Sequence, residues 1–400
     1  RKGLKTNMST TALPSTREVV IVGAVRTPIG RGHLEKGYYK DIHPATLLAA
    51  VYTEVLDRTG LDPAEVEYVI GGCVQQFGEQ AYNITRNAWL EAGLPETTPA
   101  TTVDRQCGSG QQSVNFAAAL IASGVHDVAV GCGVEHMGHI SFADGFQVIG
   151  EHGQPFTPEL LERYALIPQG LSGEMIAETW EIPRSELDEI GLRSQQRAAQ
   201  ATEEGRFERE MVPMAVNGDT YMTDQGIRPE TTLEALAALK PAFKEDGRIT
   251  AGNSSQVSDG AAAVLLMARE KADALGLAPR ARISDQTTVG VDPVIMLTGP
   301  IPATRKILER NSMSMEDIDL VEINEAFASV VVAWQRELEP DMDRVNVNGG
   351  AIALGHPLGS TGARLITTLL HEMERSDKEM GLVTMCCGGG LGTGTLVQRV

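Results

Sequence analysis

Short apolar runs alternate with stretches of helical periodicity along the chain. The strand-like runs are almost continuously apolar, whereas apolar positions recur every three or four residues in the helical stretches. The pattern predicts strands at residues 19–25, 66–71 and 127–131, and helices at 44–58, 111–123, 172–180 and 184–204. Gly60 closely follows the first helix, where a glycine is favoured as the C-terminal cap. This alternation predicts an α/β fold.

A weak internal repeat relates the two ends of the chain. Three pairs carry the repeat: residues 63–72 with 315–324, Gly110 with Gly362, and Cys132 with Cys386. The first two pairs are 252 residues apart and the third is 254 residues apart. The repeat predicts two similar βαβαβ-type halves that pack against each other. The alternative is a coincidence between generic βαβ units.

The segment between the halves differs in character, being rich in glycine, proline and charge. We therefore expect an inserted loop domain rather than a third copy of the repeat. The predicted divisions are a disordered tail (1–16), an N-terminal half (17–134, completed by about 251–280), the loop domain (135–250) and a C-terminal half (281–400). Met8 is a candidate natural start, and the tail has no apolar signal core.

Charge and cysteine content restrict the function classes. The formal net charge is −19, which disfavours nucleic acid as a partner and requires a local basic patch for any anionic substrate. The five cysteines are Cys73, Cys107, Cys132, Cys386 and Cys387. Their odd number and irregular spacing indicate reduced thiols in a reducing compartment, and nothing resembles a zinc quartet. No apolar run approaches the length of a membrane span. The sequence thus predicts a cytoplasmic protein.

The first candidate for chemistry is Cys107, in VDRQCGSGQQ. It precedes a predicted helix, whose positive end favours a thiolate and whose backbone N–H groups could bind an oxyanion. A small buried cysteine in a tight turn is the alternative.

Two further blocks near the C-terminus combine glycines with reactive side chains. His356 lies in GGAIALGHPLGSTG, where the glycines let backbone approach a ligand, and an imidazole suits a general base acting on a thiol. A structural histidine is the alternative. Cys386 ends a predicted strand before Gly388, so its thiol could move protons at carbon. Cys387 should point to the opposite side of the strand.

The block EINEAFA places Asn324 and Glu325 at a strand-to-helix junction. The Asn324 amide could hold a water as an oxyanion donor, or it could cap the helix. These four blocks, in this order, closely resemble the thiolase family, from VGAVRTPIG near the N-terminus to CCGGGLGTG near the C-terminus.

The resemblance implies a role for each matching catalytic residue. Cys107 is similar to the nucleophile that takes the acyl group as a thioester, and His356 to the base that activates it. Cys386 resembles the second cysteine, which moves the proton of the acetyl-CoA methyl group. Asn324 resembles the residue that holds the water of a first oxyanion hole. The N–H groups of Cys107 and Gly388 resemble the second hole.

Substrate contacts, fold and assembly also follow from the resemblance. Ser255 and Arg228 match CoA-contacting residues, and Phe327 would line the pantetheine channel. The family fold is a five-layer α/β/α/β/α sandwich, and its members are dimers or dimers of dimers, including homotetramers. No metal or redox cofactor is implied, because coenzyme A is a substrate.

Three departures from the family pattern surround the acyl and pantetheine pocket. Members that handle acetoacetyl-CoA carry His-Met-Gly where this chain has Pro168, Gln169 and Gly170. A frequent serine is replaced by Ala235, and residues 134–142 lack the usual Met-Ser-x-Ala-Pro pattern. The chain is more similar to bacterial degradative thiolases, including those that act on long or ring-bearing acyl-CoAs.

The predicted reaction is CoA-dependent cleavage of 3-oxoacyl-CoA to acyl-CoA and acetyl-CoA, in fatty-acid or sterol side-chain or ring degradation. A biosynthetic acetoacetyl-CoA thiolase is the alternative. A decarboxylating ketosynthase is disfavoured by Cys386, because such enzymes lack the C-terminal Cys-x-Gly-Gly-Gly. A non-catalytic scaffold or acyl-CoA carrier is disfavoured because Cys107, His356 and Cys386 are all present.

Overall fold

The computed structural model describes residues 17–400, so the predicted disordered tail and Met8 lie outside the described residues. The strands are β1 Val19–Arg26, β2 Gly30–Arg31, β3 Tyr68–Gly72, β4 Ala100–Val103, β5 Val128–His136, β6 Met214–Val216, β7 Asp219–Tyr221, β8 Ser258–Ala268, β9 Ala281–Gly290, β10 Leu320–Ile323, β11 Met380–Cys387 and β12 Leu391–Arg399. The helices are α1 Pro44–Thr59, α2 Ile84–Glu91, α3 Ser109–Ala122, α4 Phe142–His152, α5 Pro158–Arg163, α6 Gln169–Thr179, α7 Arg184–Glu203, α8 Leu233–Ala237, α9 Arg269–Leu275, α10 Pro300–Asn311, α11 Ala328–Leu338, α12 Ala351–Leu354 and α13 Thr361–Arg375.

All seven elements predicted from the apolar pattern form. The largest difference is in β5, which continues to His136, well past the predicted end at residue 131. The α1 helix ends as predicted, because Gly60 adopts a left-handed conformation with φ of 67° that L-residues with side chains disfavour.

The strands hydrogen-bond in the order β10-β11-β12-β9-β1-β8-β5-β3-β4, with β2 paired to β8. In the middle of this order, β1 and β9 pair over only two residues each, Val20–Ile21 and Ala281–Arg282. The strands therefore form two sheets that are joined through this short pairing of β1 with β9. Helices α3 and α13 pack against each other and against strands of both sheets, with α1 and α10 on the outer faces, which gives the five-layer α/β/α/β/α arrangement.

The two sheets repeat the same plan. In the first, β3 lies parallel to both β4 and β5; in the second, β10 lies parallel to β11 and makes a parallel bridge to Val345. The final strand of each half, β8 or β12, then runs antiparallel between its neighbours. Helices α3 and α13 begin 252 residues apart, in agreement with the predicted pairing of Gly110 with Gly362.

The predicted pairing of Cys132 with Cys386 is wrong by two residues. Cys132 pairs with Gly71, whereas Ile323, which lies 252 residues after Gly71, pairs with Thr384. The structural partner of Cys132 is therefore Thr384. A shift of two residues preserves the side of the strand on which a side chain lies, so the apolar pattern could not reveal the error.

The chain between β5 and β8 departs from the repeated plan. It contains α4 to α8 and a small antiparallel hairpin formed by β6 and β7. Its α6 and α7 pack against α11, and α7 also packs against α12, so these helices lie over the second half. Val212, Met214 and Val216 belong instead to the core of the first half.

Candidate active site

Cys107 lies in a tight turn immediately before α3. Gln106 has a positive φ of 51°, and the Ser109 hydroxyl closes the turn by accepting a hydrogen bond from Arg105 N at 2.8 Å and donating one to Gln106 O at 2.6 Å. Gly108 caps the helix, and a Cβ there would lie 2.5 Å from Cys387 Sγ. The turn thus requires glycine after Cys107, and it holds the thiol in a buried position.

The second cysteine pair ends β11 beside this turn. Cys386 and Cys387 are fully buried, and Gly389 and Gly390 reverse the chain with φ values of 77° and 76°. Burial raises the pKa of both thiols, and the charge of a Cys107 thiolate would raise each further. The sulfur of Cys387 packs against Gly108, at the start of α3.

The electrostatic environment of Cys107 differs from the sequence expectation. Burial raises the pKa of the Cys107 thiol to about 11, although the N–H of Gly388 and the side-chain amide of Gln169 act in the opposite direction. Desolvation therefore outweighs these hydrogen-bond donors, and the resting group is a neutral thiol. Such a nucleophile needs a base to remove its proton.

The tautomer of His356 is defined by its hydrogen bond to Thr361 and by the bond that Thr361 makes in turn. Nδ1 lies 2.6 Å from Thr361 Oγ1, whose own hydrogen is donated to Pro357 O at 2.7 Å. Thr361 can therefore only accept from the ring, so Nδ1 carries the proton. The unprotonated Nε2 accepts a hydrogen bond from the side-chain Nδ2 of Asn324, which lies 3.3 Å away.

The ring of His356 is neutral throughout the physiological range. Burial, together with the positive charge of Arg364, lowers the pKa of His356 to about 3. A neutral imidazole with a free Nε2 lone pair can accept a proton, which is what a thiol of raised pKa requires.

Asn324 follows β10 at the sheet edge. Its backbone N–H donates to Thr384 O at 3.1 Å, and its side-chain Oδ1 is buried without a partner among the described residues. The adjacent Glu325 carboxylate accepts hydrogen bonds from Ser194 Oγ at 2.6 Å and Asn346 Nδ2 at 2.9 Å. Glu325 thus stabilises the junction between β10 and α11 through these hydrogen bonds, while the amide of Asn324 faces His356.

Two positioning residues were missed in the sequence. One is Thr361, a hydroxyl five residues after His356. The other is Glu135, whose buried carboxylate accepts from Gly359 N at 2.8 Å, Val74 N at 2.9 Å and Gln75 N at 3.0 Å. Glu135 therefore ties the His356 loop to the end of β3. The sequence feature that could have indicated Glu135 is a carboxylate at the end of an otherwise apolar strand.

Family models cover nearly the whole of the described chain. Residues 19–270 match the thiolase N-terminal domain, and residues 277–399 match the thiolase C-terminal domain. The chain belongs to the thiolase family. It is therefore an acyltransferase, and the resemblance based on the four motifs is confirmed.

Individual relatives match this thiolase over almost their full length. A steroid 3-ketoacyl-CoA thiolase of Mycobacterium tuberculosis is 46% identical, over 96% of this chain and 94% of its own. A 3-ketoacyl-CoA thiolase of Saccharophagus degradans is 45% identical, over 96% and 99%.

Solved structures agree. An acetyl-CoA acetyltransferase of Bacillus anthracis is 40% identical with a TM-score of 0.87, over 96% of this chain and 100% of its own. Human mitochondrial 3-ketoacyl-CoA thiolase in complex with CoA is 35% identical with a TM-score of 0.87, over 96% and 98%. The predicted fold is confirmed.

The thiolase also brings together the segments predicted to contact CoA. Ser255 N donates to Ala326 O at 3.0 Å, beside the buried Phe327. Arg228 is exposed, and its loop is joined to the Ser255 segment through Gln256, which donates to Gly226 O at 3.0 Å. Among residues 17–400, no helix is both long and apolar enough to cross a bilayer.

Proposed function

We propose that the chain catalyses CoA-dependent cleavage of a 3-oxoacyl-CoA to acyl-CoA and acetyl-CoA, with Cys107 as the nucleophile. The observation that carries the proposal is the pairing of a buried, neutral Cys107 thiol with donors at Gly388 and Gln169, in a site that also contains a neutral His356. The names of the relatives at about 45% identity support the same substrate class.

In the first step, Cys107 loses its proton to His356 Nε2, and the sulfur attacks the keto carbon of the substrate. The bond between that carbon and the neighbouring methylene breaks, leaving an acyl-cysteine and the enolate of acetyl-CoA. Asn324, through a water, and His356 stabilise the enolate oxygen. Each such donor is worth about 3–4 kcal/mol in comparable sites.

The enolate then needs a proton at carbon, which Cys386 is proposed to supply. Its buried thiol, with a pKa raised by desolvation, is protonated at rest and is suited to act as the acid. After acetyl-CoA leaves, the thiol of CoA gives its proton to the Cys386 thiolate and its sulfur attacks the acyl-cysteine. The bond between the acyl carbon and Cys107 sulfur then breaks, and Cys107 takes back its proton from His356. The N–H groups of Cys107 and Gly388 bind the oxyanion of that step, and Cys107 is released.

An apolar segment after β5 supports a bulky acyl group. Six side chains there are apolar or aromatic and at least a third exposed: Phe142, Phe146, Phe156, Leu160, Leu161 and Tyr164. The segment starts after Ile140, whose carbonyl accepts from Gln75, and it leads to Gln169 beside Cys107. We propose that it covers long or ring-bearing acyl chains.

A second candidate is synthesis of acetoacetyl-CoA from two acetyl-CoA molecules, favoured by the 40% identical acetyl-CoA acetyltransferase structure. The same residues would act in reverse. The proposed protein is a cytoplasmic homo-oligomer, a dimer or dimer of dimers, that uses CoA as a substrate and no metal or redox cofactor. Five free, buried cysteines are compatible with a reducing compartment.

The test is a thiolysis assay that follows loss of the magnesium enolate of 3-oxoacyl-CoA. Acetoacetyl-CoA, a medium-chain substrate and a ring-bearing substrate are compared, with Cys107→Ala as the control. We expect the medium-chain or ring-bearing substrate to be cleaved faster than acetoacetyl-CoA, and we expect Cys107→Ala to cleave none of the three. Preference for acetoacetyl-CoA would favour the second candidate, and CoA-independent or absent turnover of all three would contradict both.

A further inference from the structure

Helix α6 begins at Gln169, next to Cys107. Two glycines fix the first turns of this helix against aromatic rings. A Cβ on Gly170 would lie 2.2 Å from the ring of Phe243, and one on Gly173 would lie 3.2 Å from the ring of Phe327. The two rings pack edge to face, with centroids 5.8 Å apart. The position of Gln169 is therefore set by the packing of α6 against two rings, of which Phe327 is buried and Phe243 is about half exposed.

A third contact fixes the same turn against the segment before α10. Ser172 Oγ donates a hydrogen bond to Ile295 O. No side chain caps the helix N-terminus, since Pro168 occupies the capping position. The free end of the helix, with its positive partial charge, thus lies beside the nucleophile together with the Gln169 side chain.

The amide of Gln169 reaches the backbone of the predicted oxyanion hole. A Cβ on Gly388 would lie 2.7 Å from Gln169 Nε2, so glycine at this position leaves the space that the amide occupies. Gln106 Oε1 would lie 3.2 Å from the same point. Gly388 follows Cys387, whose sulfur packs against Gly108, so the Gln169 amide lies at the turn that holds Cys107. The Gln169 amide and the Gly388 N–H both act to lower the pKa of the Cys107 thiol.

We propose that Gln169 is a further catalytic residue, whose Nε2–H donates a hydrogen bond to the Cys107 sulfur once the thiol proton has moved to His356. The proposal rests on the proposed function of Cys107 as nucleophile. In this step the S–H bond breaks, the proton moves to His356 Nε2, and the electron pair stays on sulfur. Gln169 and Gly388 then face that charge together.

The chemistry of this position differs from that of thiolases with His-Met-Gly here. A thioether has no N–H to donate, whereas a primary amide donates without adding a charge. In a site where burial opposes ionisation, one added donor directly increases the thiolate fraction. Gln169 therefore makes Cys107 more readily ionised than a methionine would.

The test measures alkylation of Cys107 by iodoacetamide in the full chain, with the label located by peptide mass spectrometry. Below the thiol pKa, the rate is proportional to the thiolate fraction. In Gln169→Met we expect an alkylation rate about tenfold lower at a fixed neutral pH, equivalent to a pKa about one unit higher. In Gln169→Glu the carboxylate repels the thiolate, so the rate should fall further.

Other groups that face Cys107 stay the same in these variants: Cys386, Cys387 and Glu135. The control is Gln200→Met, at an exposed glutamine on α7 whose side chain hydrogen-bonds Glu204. It should alkylate at the wild-type rate. Thermal unfolding monitored by circular dichroism checks that each variant folds.

Wild-type alkylation rates in folded Gln169→Met or in folded Gln169→Glu would overturn the assignment. The assay uses no CoA substrate, so its outcome is separate from that of the thiolysis assay. A wild-type chain that fails to cleave any 3-oxoacyl-CoA, but in which Gln169→Met slows alkylation, would contradict the proposed function while supporting the role of Gln169.

Discussion

The protonation of His356 is determined by a hydroxyl rather than by a carboxylate. The Thr361 hydroxyl donates its only hydrogen to Pro357 O, so it can accept a hydrogen bond from the ring but cannot donate one to it. A carboxylate in the same place would raise the pKa of the imidazole and hold a proton on it. A neutral partner instead leaves His356 unprotonated and ready to accept.

Replacement of Thr361 tests this positioning role. Thr361→Val keeps the shape but removes the acceptor, so the ring loses its preference for the Nδ1–H tautomer. We expect a decrease in kcat of about tenfold, the effect of one neutral hydrogen bond, with a smaller change in KM. Thr361→Ser restores the acceptor and should recover most of the activity in the same thiolysis assay. Equal rates for the valine and serine variants would contradict the assignment.

Asn324 should matter mainly in the transition state. Its amide faces His356 Nε2 at 3.3 Å, close to where the enolate oxygen is proposed to develop charge. Asn324→Ala is expected to lower kcat by about 10²–10³-fold, as for the loss of one oxyanion donor. Steady-state kinetics with a single 3-oxoacyl-CoA measure the effect. Asn311→Ala, on the exposed end of α10, serves as the control. An equal loss of kcat in this control would contradict a catalytic role for Asn324.

The residues that sequence could and could not identify differ in a physical way. Cys107, His356, Cys386 and Asn324 lie in glycine-rich or junction motifs that are visible as local patterns. Glu135 and Gln169 act across long sequence separations, on Gly359 and on Cys107. Such contacts depend on how helices and loops pack, which local periodicity does not encode. The same limit explains the pKa of Cys107, because burial is a property of the whole fold.

At the scale of elements, α3 and α13 approach each other through their first turns. A Cβ on Gly110 would lie 2.7 Å from Gly359 O, and one on Gly362 would lie 2.1 Å from Gln111 N. The repeat in the sequence predicted that these two glycines are equivalent, and each permits the close approach from its own side. The turns that carry Cys107 and His356 are joined directly to these helix starts.

Gly362→Ala should therefore damage both stability and activity. The added methyl group cannot be accommodated beside backbone atoms, so we expect a loss of about 1–3 kcal/mol in the free energy of unfolding, together with a large loss of kcat. Gly150→Ala is the matched control, since a Cβ there meets nothing within 4 Å and α4 should be stabilised slightly. Urea unfolding and thiolysis measure the two effects, and a Gly362→Ala variant as stable as wild type would contradict the packing argument.

For the molecule as a whole, buried histidines link folding to pH. His371 on α13 donates from Nε2 to Ala24 O at 3.0 Å and faces the Arg280 guanidinium at 3.3 Å. Burial lowers the pKa of His371 to about 3, and Arg280 and Arg209 act in the same direction while Glu374 opposes them. The unfolded chain binds a proton here near pH 6.5, whereas the folded chain does not.

This histidine should cost stability in acid. Because the folded-state pKa is depressed, the unfolded state binds more protons below pH 6.5, and the free energy of unfolding falls as pH decreases towards 3. His371→Gln cannot take up a proton, so its stability relative to wild type should rise by about 2 kcal/mol between about pH 7.5 and about pH 5. Urea unfolding at the two pH values measures the difference. A constant difference would show that His371 does not titrate as its burial requires.

The duplicated plan has a consequence for how the chemistry is divided. Cys107 and His356 occupy the corresponding turns before α3 and α13, which begin 252 residues apart. Corresponding turns of the two halves thus carry different side chains, which we propose act as a nucleophile and a base. Two identical subunits would have to carry both side chains in each copy. Because the two halves belong to one chain, the two turns can differ in sequence, and a single site can combine both side chains.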